Sequence, residues 1–394
     1  MSNRVSGNGQ SQRRRRAVVA VQVVVMLTAL MGFAAFTVDI GTLYRARAEL
    51  QASADAAAMA AASSYTTDSM VEVRATGGDA SAFAEVLSTV DGRANVFAGL
   101  NDTLNTATLV ETSDITAGWI DLTSATSSLD AFALSTEYNA VQVTVRRNSG
   151  GSNGPVEFLF APIIGHLIGE ASASAVAVFN DQFAGFDVDG NGSAAALPIS
   201  IHEDVFNDQF TNGSDDYEYF ADVDSVVPGA DGIPEINLYP FDVAPGNFGL
   251  LNIGSPNQGV PALQDQIENG VSSDEMELET GSSELTFYNE DGSSNTYDIT
   301  GGAGMKTALE GSISDRIGDV VAFFLHESTA QQGANAVFTI SDVRFGRIMD
   351  VRLSGPSVGR GLWIQPVSYN GGGVIISDGA PSSNGLVGRL VLAR

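Results

Sequence analysis

From Ala17 to Val38 the chain carries no charged side chain, and as a helix this stretch spans about 33 Å, enough to cross the hydrocarbon core of a bilayer. The helical pattern does not stop there. Past Asp39 it continues through Leu43, Ala46, Leu50, Ala54, Ala57 and Ala61, and no proline intervenes before Pro155. A secretory signal has a shorter apolar core and ends at a cleavage site, so an uncleaved anchor running on into a long helix is expected. Residues 79–101 repeat apolar positions at helical spacing and predict a second helix, with Gly92 as the point where it would break. The pattern then shortens to a period of two. "TATLVE", "ITAGWI" and "NAVQVTVRR" predict strands, the last with Val141, Val143 and Val145 on one face. "SGGSNGP" reads as a loop, "VEFLFAPIIGHLIG" as an apolar segment interrupted by Pro162, and "ASASAVAVF" as another alternating strand.

After Gly185 the pattern changes again. An acidic, turn-rich section comes first, then one helix around Met305–Ile317, then strands in "NAVFTISD", "IMDVRLSG", "LWIQPV" and "GVIISD". The pattern thus predicts an α+β chain divided into a basic head (1–16), a transmembrane helix (17–38), its extension (39–65), a small mixed α+β domain (66–184) and an acidic loop region with a β-rich sandwich or barrel-like domain (185–394). "FNDQF" occurs at 179–183 and again at 206–210, but nothing around it repeats at that offset.

Charge sharpens this picture. The formal net charge is −28, yet Arg4 and Arg13 to Arg16 precede the span, and no Lys or Arg lies between Asn148 and Met305. Only Arg45 and Arg47 follow the span closely, so the positive-inside rule places the amino terminus in the cytoplasm and the bulk of the chain outside. Asp39, at the outer edge of the span, is expected at headgroup level, where an acid needs no functional explanation. The acidic body repels phosphate, which argues against nucleic acid as a partner and for attraction of cations. A saline environment favours the same Asp-rich surface. There is no cysteine, hence no disulfide or thiolate chemistry, and His166, His202 and His326 lack a metal-binding spacing.

Two acidic loops are candidate cation sites. In "DVDGNGS", Asp187, Asp189 and Asn191 occupy the first, third and fifth positions of a calcium loop and Gly192 the sixth, where the chain must turn sharply. The twelfth position is Pro198, which excludes an EF-hand. In "DVDSVVPGADGIPE", Asp222, Asp224, Asp231 and Glu235 offer further carboxylates, with Gly232 allowing a turn. Either loop reads equally as an Asx-rich surface turn. Calcium is therefore the one cofactor the sequence suggests.

No enzyme is expected. "GPSVG" at 355–359 imitates a nucleophile elbow, but no histidine follows Ser357. "GGAGMKT" imitates a phosphate loop, but Met305 separates glycine from Lys306. No nucleophile, base and orienting group can be assembled from the sequence.

One stretch carries a resemblance. "VDIGTLYRARAELQASADAAAMAAA", preceded by arginines and an apolar span, resembles the amino-terminal segment of the TadG-like proteins of the tight-adherence (Tad, or Flp) pilus assembly system, through Asp39, Gly41, Tyr44, Arg47, Leu50, Gln51, Asp55 and the following alanines. "RANVFAGLN", "NAVQVTVRR", "NGPVEFLFAPIIG" and "PGNFGLLNIG" extend the likeness to longer members. Related TadE-type pseudopilins place a glycine before a processing site and a glutamate five residues beyond it. Ala17 and Gln22 stand at those positions here, which implies a retained anchor. The von Willebrand-type domain of some TadG proteins is not evident. The resemblance implies a pilin-like helix on a small sheet in a single-pass protein of the bacterial inner membrane, its bulk periplasmic or extracellular, meeting Tad pilus machinery or pilins. The alanine-rich helix over residues 40–64 is the expected interface, because small side chains let helices approach closely. As a strong helix former it could equally just extend the anchor. The alternative function is a calcium-stabilised envelope or adhesion protein sharing this type of anchor.

Overall fold

The computed structural model describes residues 8–124, 127–190, 192–239, 246–254, 259–330, 336–356 and 359–393. One continuous α-helix runs from Asn8 to Ala62, joining the apolar span to the alanine-rich stretch without a break. Its apolar side chains from Val19 to Val38 are exposed except for half-buried Ala35, and the helix is long and apolar enough to cross a membrane. From Ala46 onward one face turns inward: Ala46, Leu50, Ser53, Ala54, Ala57, Ala58, Ala61 and Ala62 are all fully buried. These positions recur every three or four residues, as one side of an α-helix requires.

The chain forms two compact units. The first comprises Met1–Ala57, Asn95–Asp114 and Val143–Ala175. Here the helix is accompanied by two hairpins, one tight and one with a long tip. Asp102–Thr103 pairs with Thr106–Ala107 across Leu104 and Asn105, whose φ values of 53° and 64° make the two-residue turn that suits a twisted hairpin. Val156–Glu157 pairs with Ile168–Gly169, and between them Pro162 sits in the first turn of a short 3₁₀-helix, Ala161–Ile164. The 143–147 part of strand Ala140–Arg147 and the 171–175 part of strand Ala171–Asn180 also belong to this unit. Both bury alternate residues: Val143 and Val145 on one, Ala171, Ala173 and Ala175 on the other.

The second unit comprises Ala58–Ala94, Ile115–Gln142 and Val176–Arg394. Its centre is a seven-stranded sheet in the order Ile236–Asn237, Gly361–Pro366, Ala336–Arg352, Tyr297–Ala303, Phe248–Leu251, Ala195–His202, Val320–Ala330. The last strand also pairs with Ala336–Arg352, closing five of the seven into a ring, the barrel form of the β-rich expectation. All pairings are antiparallel except Ala195–His202 with Val320–Ala330. Gly249 and Gly301 allow the Phe338 ring to lie against their backbones, where a Cβ on Gly249 would collide with it.

The architecture is the expected α+β, with several differences in detail. The helix Ala80–Gly99 passes through Gly92 unbroken, since that position faces open space and imposes no strain. "TATLVE" contributes only Thr106–Ala107, while "NAVFTISD" and "IMDVRLSG" join in one long strand. The acidic section, where no helix was expected, holds three: Glu203–Asn212, Val260–Asn269 and Ser273–Thr280. The helix expected around Met305–Ile317 shrinks to Glu310–Ser314 after one 3₁₀ turn.

Candidate functional site

The seven residues that carry the sequence resemblance divide between an exposed and a buried side of the long helix. Gly41, Tyr44, Arg47, Gln51 and Asp55 follow one another at three or four residues, so they form a single stripe. Gly41, Tyr44, Arg47 and Gln51 are exposed, Tyr44 by 69 %. Gln51 donates from Nε2 to Asp55 Oδ1 at 2.7 Å and to the carbonyl of Ser174 at 3.3 Å. Arg47 lines a recess of about 390 Å³ with Thr144, Arg146, Asn148, Glu170 and Ser172. Leu50 and Asp39 belong to the buried side.

Asp39 does far more than sit among headgroups. It is 3 % exposed, and its carboxylate accepts from three consecutive backbone amides: Leu159 at 2.8 Å, Phe160 at 3.0 and 3.2 Å, and Ala161 at 2.6 Å. Phe160 is the N-cap and Ala161 the first residue of the short 3₁₀-helix, whose opening amides have no partner within the helix, and Leu159 directly precedes them, so Asp39 caps the tip of the Val156–Gly169 hairpin from another part of the chain. Ten residues on, Glu49 does the same for the other hairpin. It accepts from Leu104 N at 2.7 Å and pairs with Arg45 at 2.7 Å, which holds its carboxyl below the ordinary range, chiefly through the Leu104 amide.

Residues 18–64 match the family of putative Flp pilus-assembly TadE/G-like proteins. No curated protein and no solved structure matches the chain. The Tad segment therefore contains the apolar span, both hairpin anchors and the exposed stripe.

The acidic loops lie outside the Tad segment. Asp187 ends the strand Phe183–Asp187; its Oδ1 accepts from Asp189 N at 3.0 Å and its carbonyl accepts from Ser193 Oγ at 2.9 Å, an Asx-type turn closed by Gly192 at φ 74°. Asn191 lies outside the described residues. Asp222 and Asp224 sit at the tip of the hairpin Tyr217–Phe220/Ser225–Pro228, where Asp224 accepts from the Tyr219 hydroxyl at 2.9 Å. Asp231 accepts from Ile233 N and from Gln365 Nε2, the latter at 2.7 Å. Glu235 is 1 % exposed; Oε2 accepts from Asp216 N at 2.7 Å, and buried Oε1 has no hydrogen-bond partner among the described residues. Burial, with the nearby Asp215 and Asp231 charges, pushes Glu235 up to about 8. Among the described residues, no three Asp, Glu or His side chains are grouped to hold a metal ion.

Sequence reasoning missed one pairing of chemical interest. Ser200 Oγ lies 2.7 Å from His326 Nδ1, and His326 Nε2 lies 2.9 Å from the Gly246 carbonyl. A carbonyl can only accept, so Nε2 carries the proton and Nδ1 accepts from the serine. The arrangement imitates a nucleophile and its base, but both residues are fully buried, and the imidazole is oriented by a main-chain carbonyl where a triad would place a carboxylate. Burial depresses His326 to about 4, keeping it neutral. Its role here is to tie the neighbouring strands Ala195–His202 and Val320–Ala330 together.

Proposed function

We propose that this protein is a membrane-anchored component of Tad/Flp pilus assembly that acts through protein–protein contacts and not through catalysis. The observation that carries the reading is the family match over residues 18–64, together with the stripe Gly41, Tyr44, Arg47 and Gln51 left exposed on that segment. The helix crosses the inner membrane once, with Arg13 to Arg16 on the cytoplasmic side and everything after Asp39 exported. The alanine face is already covered within the chain, so the partner-binding surface is the polar stripe on the other side. An aromatic and an arginine side by side are the residue types that dominate interface energetics.

The test is a photo-crosslinking amino acid at Tyr44 of the full-length protein, activated in native membranes, with partners identified by mass spectrometry. Capture of the Tad ATPase, its platform proteins or pilin is the expected result. A protein held in the membrane that captures none of them, in a strain whose pili survive its deletion, would sink the proposal.

A further inference from the structure

The hairpin that Asp39 caps presents a surface that none of the described residues covers. Within residues 158–169, "FLFAPIIGHLIG", the only polar side chain is His166. Leu159 is 72 % exposed, Ile163 84 % and Leu167 66 %, and Phe160 and Ile168 are also substantially exposed. Isolated exposed apolar residues are ordinary, but five at one hairpin tip are not. Their position along the helix is fixed. Three amides of the tip bond the carboxylate of Asp39, one residue past the apolar span, and Phe36, Val38 and Ile40 around it on the helix are exposed apolar groups too. The exposed apolar surface of the span and that of the hairpin are thus continuous at one level.

We propose that the tip of the Val156–Gly169 hairpin inserts into the lipid interface where the helix leaves the membrane, giving the chain a second, monotopic contact with the bilayer. The occupant of this surface is lipid because the neighbouring helix surface, at the same level, is the lipid-facing surface of the span. The physical consequence is a fixed depth. A single helix can slide and tilt in a bilayer, whereas a helix locked by Asp39 to an interfacial apolar hairpin is held at one position along its axis. Burying Asp39 under the hairpin also removes a carboxylate from the place where it would oppose insertion.

The inference rests on the helix spanning the membrane, and the experiment separates the two. The chain has no cysteine, so single substitutions accept a fluorophore cleanly. The full-length variants Ile163→Cys, Leu159→Cys, Val25→Cys and Leu100→Cys are labelled and reconstituted in vesicles of phosphatidylethanolamine and phosphatidylglycerol. Leu100 is an apolar, exposed control in the same unit; Ser53 Oγ bonds the neighbouring Ala98 carbonyl, which places it about 20 Å along the helix from Asp39. The expected result is quenching of positions 163, 159 and 25 by nitroxide-bearing lipid and of position 100 by aqueous iodide. If iodide reaches 163 and 159 as readily as 100 while 25 stays in lipid, the span stands and the inference is overturned. Protection of 163 and 159 from both quenchers would mean that protein covers them, which also overturns it. Iodide quenching at 25 would remove the span itself and the inference with it.

Discussion

Replacing Glu235 with glutamine should stabilise the second unit, by an amount that depends on pH in a defined direction. Glu235 immediately precedes strand Ile236–Asn237, where Ile236 opposes Ile364 and Asn237 opposes Trp363. It is buried with one oxygen unpartnered, close enough to Asp215 and Asp231 for their charges to oppose its own. Its folded value of about 8 stands above the ordinary 4.5, so between these pH values the unfolded chain releases a proton that the folded chain keeps. Stability from this group is complete below pH 4.5 and is lost progressively as pH rises toward 8. Holding the carboxyl protonated at pH 7, about 2.5 pH units above its ordinary value, costs about 3 kcal/mol. Glutamine keeps an oxygen for Asp216 N and brings no charge, so Glu235→Gln should recover most of that at pH 7 and almost none at pH 4.5.

The assay is urea unfolding of the full-length protein in detergent, followed by tryptophan fluorescence. The chain has two tryptophans, Trp119 and Trp363, both in the second unit, and Trp363 is on the strand paired beside Glu235. The variant's gain should grow from pH 5 to pH 8 with an unchanged slope against urea. An equal difference at both pH values, or a variant less stable than wild type at pH 8, would refute the assignment of a neutral Glu235.

Four further outcomes can be read with similar means. Ser200→Ala leaves His326 Nδ1 buried without a donor and should cost about 1–3 kcal/mol on the same unfolding curve at pH 7. Calcium at about millimolar concentration should raise the urea midpoint of wild type and not of an Asp187→Asn, Asp189→Asn double variant; an unchanged wild-type midpoint ends the calcium reading of that loop. Asp39→Asn removes the anionic acceptor of three amides and should make the 156–169 hairpin a site of limited proteolysis, while the protein stays in the membrane fraction. Leu50→Ala should cost about 2–5 kcal/mol, and Tyr44→Ala less than about 0.5 kcal/mol while still abolishing piliation; similar costs for the two would erase the division between the helix faces.

Much of the architecture was legible where it depends on local periodicity. The span and its continuation showed as one apolar run followed by residues every three or four positions, and the valines of Ala140–Arg147 showed as a half-buried strand. The helices in the acidic section were legible in part and passed over: Ser272 and Glu275 form a capping box, each side chain bonding the other's backbone N–H, and Gly281 ends that helix in the left-handed region. What could not be read were the long-range pairings. Asp39 read as an acid at headgroup level because its partners are backbone amides 120 residues away, and an amide carries no residue identity. Ser200 and His326 are 126 residues apart and come together only because their strands pair in parallel. A linear division of the chain likewise follows composition, whereas each compact unit collects segments from three separate places.

The two faces of the Tad segment impose a constraint on how it can assemble. Alanines that are fully buried within the chain have no surface left to offer a second helix, so close packing of alanine faces between copies would require the chain to open around them. Opening would break the Asp39 and Glu49 contacts, whose combined donors are four backbone amides. Buried amides without acceptors are costly, and water would have to replace every one of those bonds beside an apolar hairpin. Assembly through the exposed stripe requires none of this. The motif then reads as two sets of residues with separate tasks: Asp39 and Leu50 are buried, Asp39 holding the Val156–Gly169 hairpin to the long helix, while Gly41, Tyr44, Arg47 and Gln51 stay exposed for the partner that the proposed function requires.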